Sequence, residues 1–191
     1  MRGVIFGMRL LAACTSGACF WLAGLAGLGV ASAQGAASAP EDGAALLAAR
    51  AIAMPIDGVA GRALHDTFTD RRTGGSHEAL DILAPRGTPV RAVDDGKLVK
   101  LFTSVPGGLT VYQFDAGNRL AYYYAHLDRY AENLREGMPL RRGDVIGYVG
   151  TTGNAPPDVP HLHFAVFVLD ADKRWWKGTA INPYPVLRQL P

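Results

Sequence analysis

From Met54 onward the chain is a succession of short β-forming runs cut by Gly, Pro, Asp and Asn, and those interruptions constrain its fold more than any other feature. Thr88–Val93, Gly96–Phe102, Leu109–Phe114 and Leu120–His126 each read as a strand. Asp94-Asp95-Gly96, Pro106-Gly107-Gly108 and Asp115-Ala116-Gly117-Asn118 read as the turns between them. Asp144–Val149 and His161–Val168 continue the series, and Ala131–Glu136 reads as a short helical turn. Regularly spaced strands with few helices predict a mainly β fold, a compact antiparallel β-sheet domain. At 191 residues there is room for one domain of ordinary size and hardly for two. No heptad run and no internal repeat is present.

The first 33 residues carry a different pattern. Arg2 and Arg9 precede an apolar stretch from Leu10 to Val30, closed by Ala31-Ser32-Ala33 before Gln34. A charged start, an apolar run and a small-x-small end predict a signal peptide, residues 1–33, and an exported protein, periplasmic or extracellular. Two other outcomes share these residues: an uncleaved membrane anchor, because the run is nearly long enough to span a bilayer, or lipidation at Cys14 of Leu11-Ala12-Ala13-Cys14. Contact with a membrane is expected only through such an uncleaved or lipidated N-terminus. Both cysteines, Cys14 and Cys19, fall inside the segment, so cleavage leaves no thiol for a disulfide or a metal. Taking Arg2 and Arg9 from the 19 basic residues leaves 17, against 17 acidic ones. That balance gives no support for nucleic-acid binding. Residues 34–53 are rich in Ala, Gly and Ser and read as a linker or short helix, the helix spanning Pro40–Arg50 with Glu41 and Asp42 near its start. The remaining 54–191 form the expected domain.

Four of the five histidines lie in three short patterns within that domain: His77-Glu78-Ala79-Leu80-Asp81, Tyr124-Ala125-His126-Leu127 and His161-Leu162-His163. Residues two apart on a strand share a face, so His161 and His163 point one way while Leu162, Phe164, Val166 and Val168 can fill a core. On a helix the two rings would diverge by about 200°. His77 and Asp81, four apart, share a face of either a strand or a helix, and the following Ala84-Pro85 disfavours the helix. Glu78 would face away from His77 on extended backbone, which argues against a role as general base. Two imidazoles and a carboxylate are the donor set of a catalytic zinc, which takes three protein ligands and keeps a fourth position for water. Each pattern alone is equally compatible with packed or solvated side chains; their joint occurrence is what points to a metal site.

The order His77-x-x-x-Asp81, Tyr124-Ala125-His126-Leu127, His161-Leu162-His163-Phe164 resembles the LytM- and lysostaphin-type zinc metalloendopeptidases, peptidase family M23. Asp81–Ala92, Arg142–Gly147 and Gly150–Asn154 add context, and the likeness runs over about residues 55 to 186. It implies an antiparallel β fold with an active-site groove across the sheet. It implies one Zn2+ per chain on His77, Asp81 and His163, with His126 and His161 as the catalytic pair. It also implies a peptide substrate in the stem peptides of bacterial peptidoglycan, the alternative being a non-catalytic wall-binding or amidase-activating domain of the same fold. One departure is visible: Ala79 stands where the family usually has Gly, and a methyl group there could crowd the groove. Gly150–Pro160 and the stretch Arg71, Arg72, Gly74, Gly75 are the expected groove rims. The tryptophans of Lys173-Arg174-Trp175-Trp176-Lys177 read as packing residues.

Overall fold

A computed structural model describes residues 42–72 and 74–191. Residues 1–33, expected from sequence to be a signal peptide, both cysteines and the Pro40-Glu41 start of the expected helix lie outside the described residues. Among the described residues, no helix is long and apolar enough to cross a membrane.

The architecture is mainly β. A short hairpin pairs β1 (Arg71–Arg72) with β2 (Gly75–Ser76). A nine-stranded sheet contains β3 (Leu80–Leu83), β4 (Pro89–Arg91), β5 (Gly96–Ser104), β6 (Gly108–Asp115) and β7 (Leu120–Tyr130), followed by β8 (Pro139–Leu140), β9 (Val145–Val149), β10 (His161–Leu169) and β11 (Gly178–Ile181). All its pairings are antiparallel, in the order β11-β10-β7-β6-β5-β8, with β3 on β10, and β4 and β9 branching from β7. The six runs read as strands from composition are all strands. The sequence pattern did not single out β1, β2, β8 and β11, which are two to four residues long. Ala131–Glu136 forms turns and no helix; Asn133 takes a left-handed φ of 63°, which ends any helical turn.

The turn chemistry read from sequence is visible in the hydrogen bonds. After β6 the Asp115 carboxylate accepts from the backbone N–H of Gly117, Arg119 and Leu120, at 3.1, 2.7 and 2.8 Å. Asn118 sits at φ 51°, a conformation its short amide side chain tolerates.

One sheet face carries the core. Leu80, Ile82, Leu98, Val111, Leu162 and Phe164 are buried there with Tyr122 and Tyr124. The two tyrosine hydroxyls are satisfied internally: Tyr122 donates to Asp94 Oδ2 (2.8 Å), and Tyr124 donates to Gln113 Oε1 (2.7 Å) while accepting the Val93 N–H. Helix α1 (Gly43–Ala48), capped by Asp42, inserts Leu46 and Leu47 into the same core. Arg50 just beyond it pairs with the buried Asp94 at 2.7–2.8 Å. Helix α2 (Tyr184–Leu187) adds Leu187. On the opposite sheet face Trp175 packs against Phe102 and Tyr112, with ring centres 5.2 and 4.8 Å apart, as a packing residue would, whereas its neighbour Trp176 is 58% exposed.

Candidate metal centre

His161 and His163 leave β10 on the face opposite Leu162 and Phe164, as period-two alternation requires. Asp81 of β3 lies directly across from His163 in the antiparallel register, and Ala125 of β7 flanks His163 on its other side. His77 does not reach this centre by strand alternation. It precedes β3, and Glu78 between them takes a left-handed φ of 57°, which turns the chain so that the His77 ring meets Asp81. Glu78 itself is exposed. Ala79 is buried and outside the left-handed region, so a methyl group there brings no backbone strain.

His126 arrives by a different device. On an unbroken strand it would share the core face with Tyr122 and Tyr124. The β6–β7 register instead runs from Leu109↔Leu127 to Val111↔Tyr124, so Thr110 opposes both Ala125 and His126. This is a β-bulge, and His126 adopts φ 61° within it. The extra residue sends Leu127 back into the core and His126 into the groove, as bulges near functional sites do. Thr152 stabilises the arrangement: its hydroxyl accepts the Leu109 N–H (3.0 Å) and donates to the Leu127 carbonyl (2.7 Å). Gly108 and Gly153, at φ 63° and 79°, let the two supporting loops approach backbone to backbone; a Cβ on either would collide with the other loop.

The donor atoms converge. His77 Nε2 lies 3.1 Å from Asp81 Oδ1 and 3.0 Å from His163 Nδ1, and His163 Nδ1 lies 3.2 Å from Asp81 Oδ1. A tetrahedral ion with ligand distances of about 2.0–2.1 Å holds its ligands about 3.3–3.4 Å apart, so the triangle matches one that closes around such an ion. Proton bookkeeping points the same way. His77 Nδ1 must donate to the Thr67 carbonyl (2.9 Å), which leaves a bare lone pair on Nε2 of the neutral ring. Asp81 Oδ1 is buried and accepts no hydrogen bond. A neutral His163 can offer one Nδ1 proton to only one of those two acceptors, and burial lowers its pKa, opposing a second proton. A cation answers all three atoms together. Burial alone would raise the Asp81 carboxyl; the His163 and His77 rings beside it outweigh burial and hold the group well below the usual carboxylate range.

His126 and His161 stand beside this triangle, outside it. Their ring centres are 4.9 Å apart, and His126 is 5.5 Å from His163. Each is fixed through Nδ1 on a backbone carbonyl, His126 on Thr152 (2.8 Å) and His161 on Val159 (2.9 Å). Both therefore present an unprotonated Nε2 when neutral. Burial pushes the His126 imidazole down to about 4, against the opposite pull of the Thr152 carbonyl. The groove over these residues encloses about 800 Å³. Arg71, Arg72, Gly74 and Gly75 line one side, and Asn154, Ala155, Pro156 and Val159 another, so both segments expected as rims face the site. Thr67 was not singled out from the sequence, and Thr152 and Val159 only as parts of Gly150–Pro160: what fixes the rings is their backbone carbonyls, which every residue has.

The model of peptidase family M23 matches residues 75–183. The chain belongs to this family. Among M23 relatives, the L-Ala–D-Glu endopeptidase of Bacillus subtilis is 32% identical over 130 residues, which are 64% of this chain and 38% of that protein. The chain thus spans well under half the length of that relative. The catalytic domain of the antimicrobial peptidase lysostaphin from Staphylococcus simulans superposes with a TM-score of 0.54 at 27% identity, covering 78% of this chain and all of that domain. A zinc-containing peptidase from Vibrio cholerae gives a TM-score of 0.56 at 26% identity, covering 71% of this chain and 40% of that one.

Proposed function

We propose that this chain is an exported zinc metalloendopeptidase that hydrolyses peptide cross-links of bacterial peptidoglycan, with one Zn2+ held by His77, Asp81 and His163. The observation that supports this most is the buried, undonated Asp81 Oδ1 facing two ring nitrogens, with two further carbonyl-fixed histidines beside it. When bound, zinc supplies Lewis acidity, which acidifies water and polarises a carbonyl oxygen.

The protein's own groups manage the protons. His126 and His161 direct bare Nε2 atoms toward the same space, so one of the pair takes the proton released by the attacking water. That proton is then returned to the departing amine nitrogen, a transfer worth about 10²–10⁴-fold in rate. The Thr152 and Val159 carbonyls hold both neutral rings in the tautomer that accepts at Nε2, and keep their orientation when one is protonated. The groove holds the peptide across the donor triangle, between the arginine-bearing hairpin and the Asn154–Val159 loop. A substrate containing D-residues is supported by the name of the Bacillus subtilis relative. Export is supported by the apolar run that closes at Ala33.

The test is digestion of purified sacculi by the zinc-loaded protein, with released fragments identified by mass spectrometry. Cross-linked fragments should fall to monomers, a chelator should stop the reaction, and added zinc should restore it. Metal-loaded protein that releases nothing overturns the reading.

A further inference from the structure

The two oxygens of Asp81 have different partners. Oδ1 faces His77 Nε2 and His163 Nδ1 at 3.1 and 3.2 Å. Oδ2 accepts from Arg72 Nη2 at 2.8 Å. Arg72 belongs to the β1–β2 hairpin, which is not part of the main sheet, and it lines the groove together with Asp81. The Asp81 main chain is held separately: its N–H donates to the Thr67 hydroxyl (3.0 Å), which also donates to the Ala79 carbonyl (3.2 Å). With the backbone fixed in this way, the remaining freedom of Asp81 is rotation of its carboxylate.

We propose that Arg72 is a positioning residue that restricts Asp81 to one-oxygen coordination of the metal, and so keeps the fourth coordination position open for water. The inference rests on the metal site proposed above. A carboxylate can bind an ion through one oxygen or two, and a chelating second oxygen would crowd the place a catalytic zinc leaves for water, raising the coordination number to five while the water stays. A guanidinium on Oδ2 opposes that rotation by a charge-assisted hydrogen bond. Arg72 is about half exposed, so the ion pair contributes little to folding stability. Its effect falls on ligand orientation, where partners of metal ligands typically alter affinity or activity by about 10–100-fold.

Cobalt substitution reads the coordination number directly, because four-coordinate Co2+ absorbs visible light far more strongly than five-coordinate Co2+. The full chain with Arg72→Gln, loaded with Co2+, should lose visible intensity relative to the unsubstituted protein. In the zinc form its kcat should fall about 10–100-fold with KM little changed. Arg72→Lys, which restores a cation without the planar fork, should recover part of both. An unaltered spectrum overturns the proposal. So does an unaltered spectrum with raised KM, which would make Arg72 a substrate contact. X-ray absorption on the zinc-loaded, unsubstituted protein needs no variant: one carboxylate oxygen in the first shell supports the proposal and two overturn it. A chain that takes up neither ion fails the metal reading itself, and this inference with it.

Discussion

At the residue scale the proposed roles separate atoms that would hold an ion from atoms that would move protons, and the two groups should respond differently to substitution. His163→Ala leaves two donors facing each other, and zinc content and activity should both be lost. His126→Ala removes a ring outside the donor triangle, so zinc content should persist while kcat falls about 10²–10⁴-fold. Elemental analysis of both variants decides the matter, and equal zinc loss would show the roles misassigned. The depressed His126 pKa gives a second expectation. In the metal-free protein, ring resonances of labelled His126 should titrate near 4, not near the ordinary 6.5. The unfolded chain then takes up the proton first as pH falls. The stability this group contributes is complete above about 6.5 and is lost as pH drops through about 4. A His126 midpoint near 6.5 would mean the ring is not desolvated.

At the scale of elements, the bulge in β7 is the feature on which the site depends. His126 would otherwise point into the core, so what holds the bulge also aims the ring. Thr152 does both, through its hydroxyl on Leu109 and Leu127 and its carbonyl on His126. Thr152→Val keeps the shape but deletes the hydroxyl, leaving partly buried groups unpaired at about 1–3 kcal/mol. Urea denaturation should show that loss and kcat should fall with it, while Thr152→Ser should restore both. Unchanged stability in the valine variant would mean that water replaces the hydroxyl.

At the scale of the whole molecule, the packing of α1 bears on where the folding unit starts. From sequence, residues 54–191 form the expected domain. Leu46, Leu47 and Ile52 nonetheless lie in the same core, and Arg50 pairs with Asp94, which is only 5% exposed. Removing residues 42–53 would strip three buried apolar side chains and leave a buried carboxylate without its cation. The cost should exceed about 5 kcal/mol, comparable with the whole stability of many domains. A chain starting at Met54 should therefore melt well below one starting at Asp42, or without a cooperative transition; equal midpoints would show α1 to be dispensable.

The antiparallel β class, the core face of β10 and the shared face of His161 and His163 were legible in the sequence because strand alternation has a period of two and turn residues have local chemistry. The His77-Asp81 pairing was legible as a spacing, but its geometry was not: a left-handed Glu78, and not strand alternation, brings the two together. His126 could not be aimed from sequence at all, since one extra residue in β7 reverses its face and depends on how β6 pairs with β7. The fixing of the imidazole tautomers by Thr67, Thr152 and Val159 was equally invisible, because main-chain carbonyls carry no residue signature. Local pattern determined which residues could do chemistry; long-range backbone pairing decided where they point.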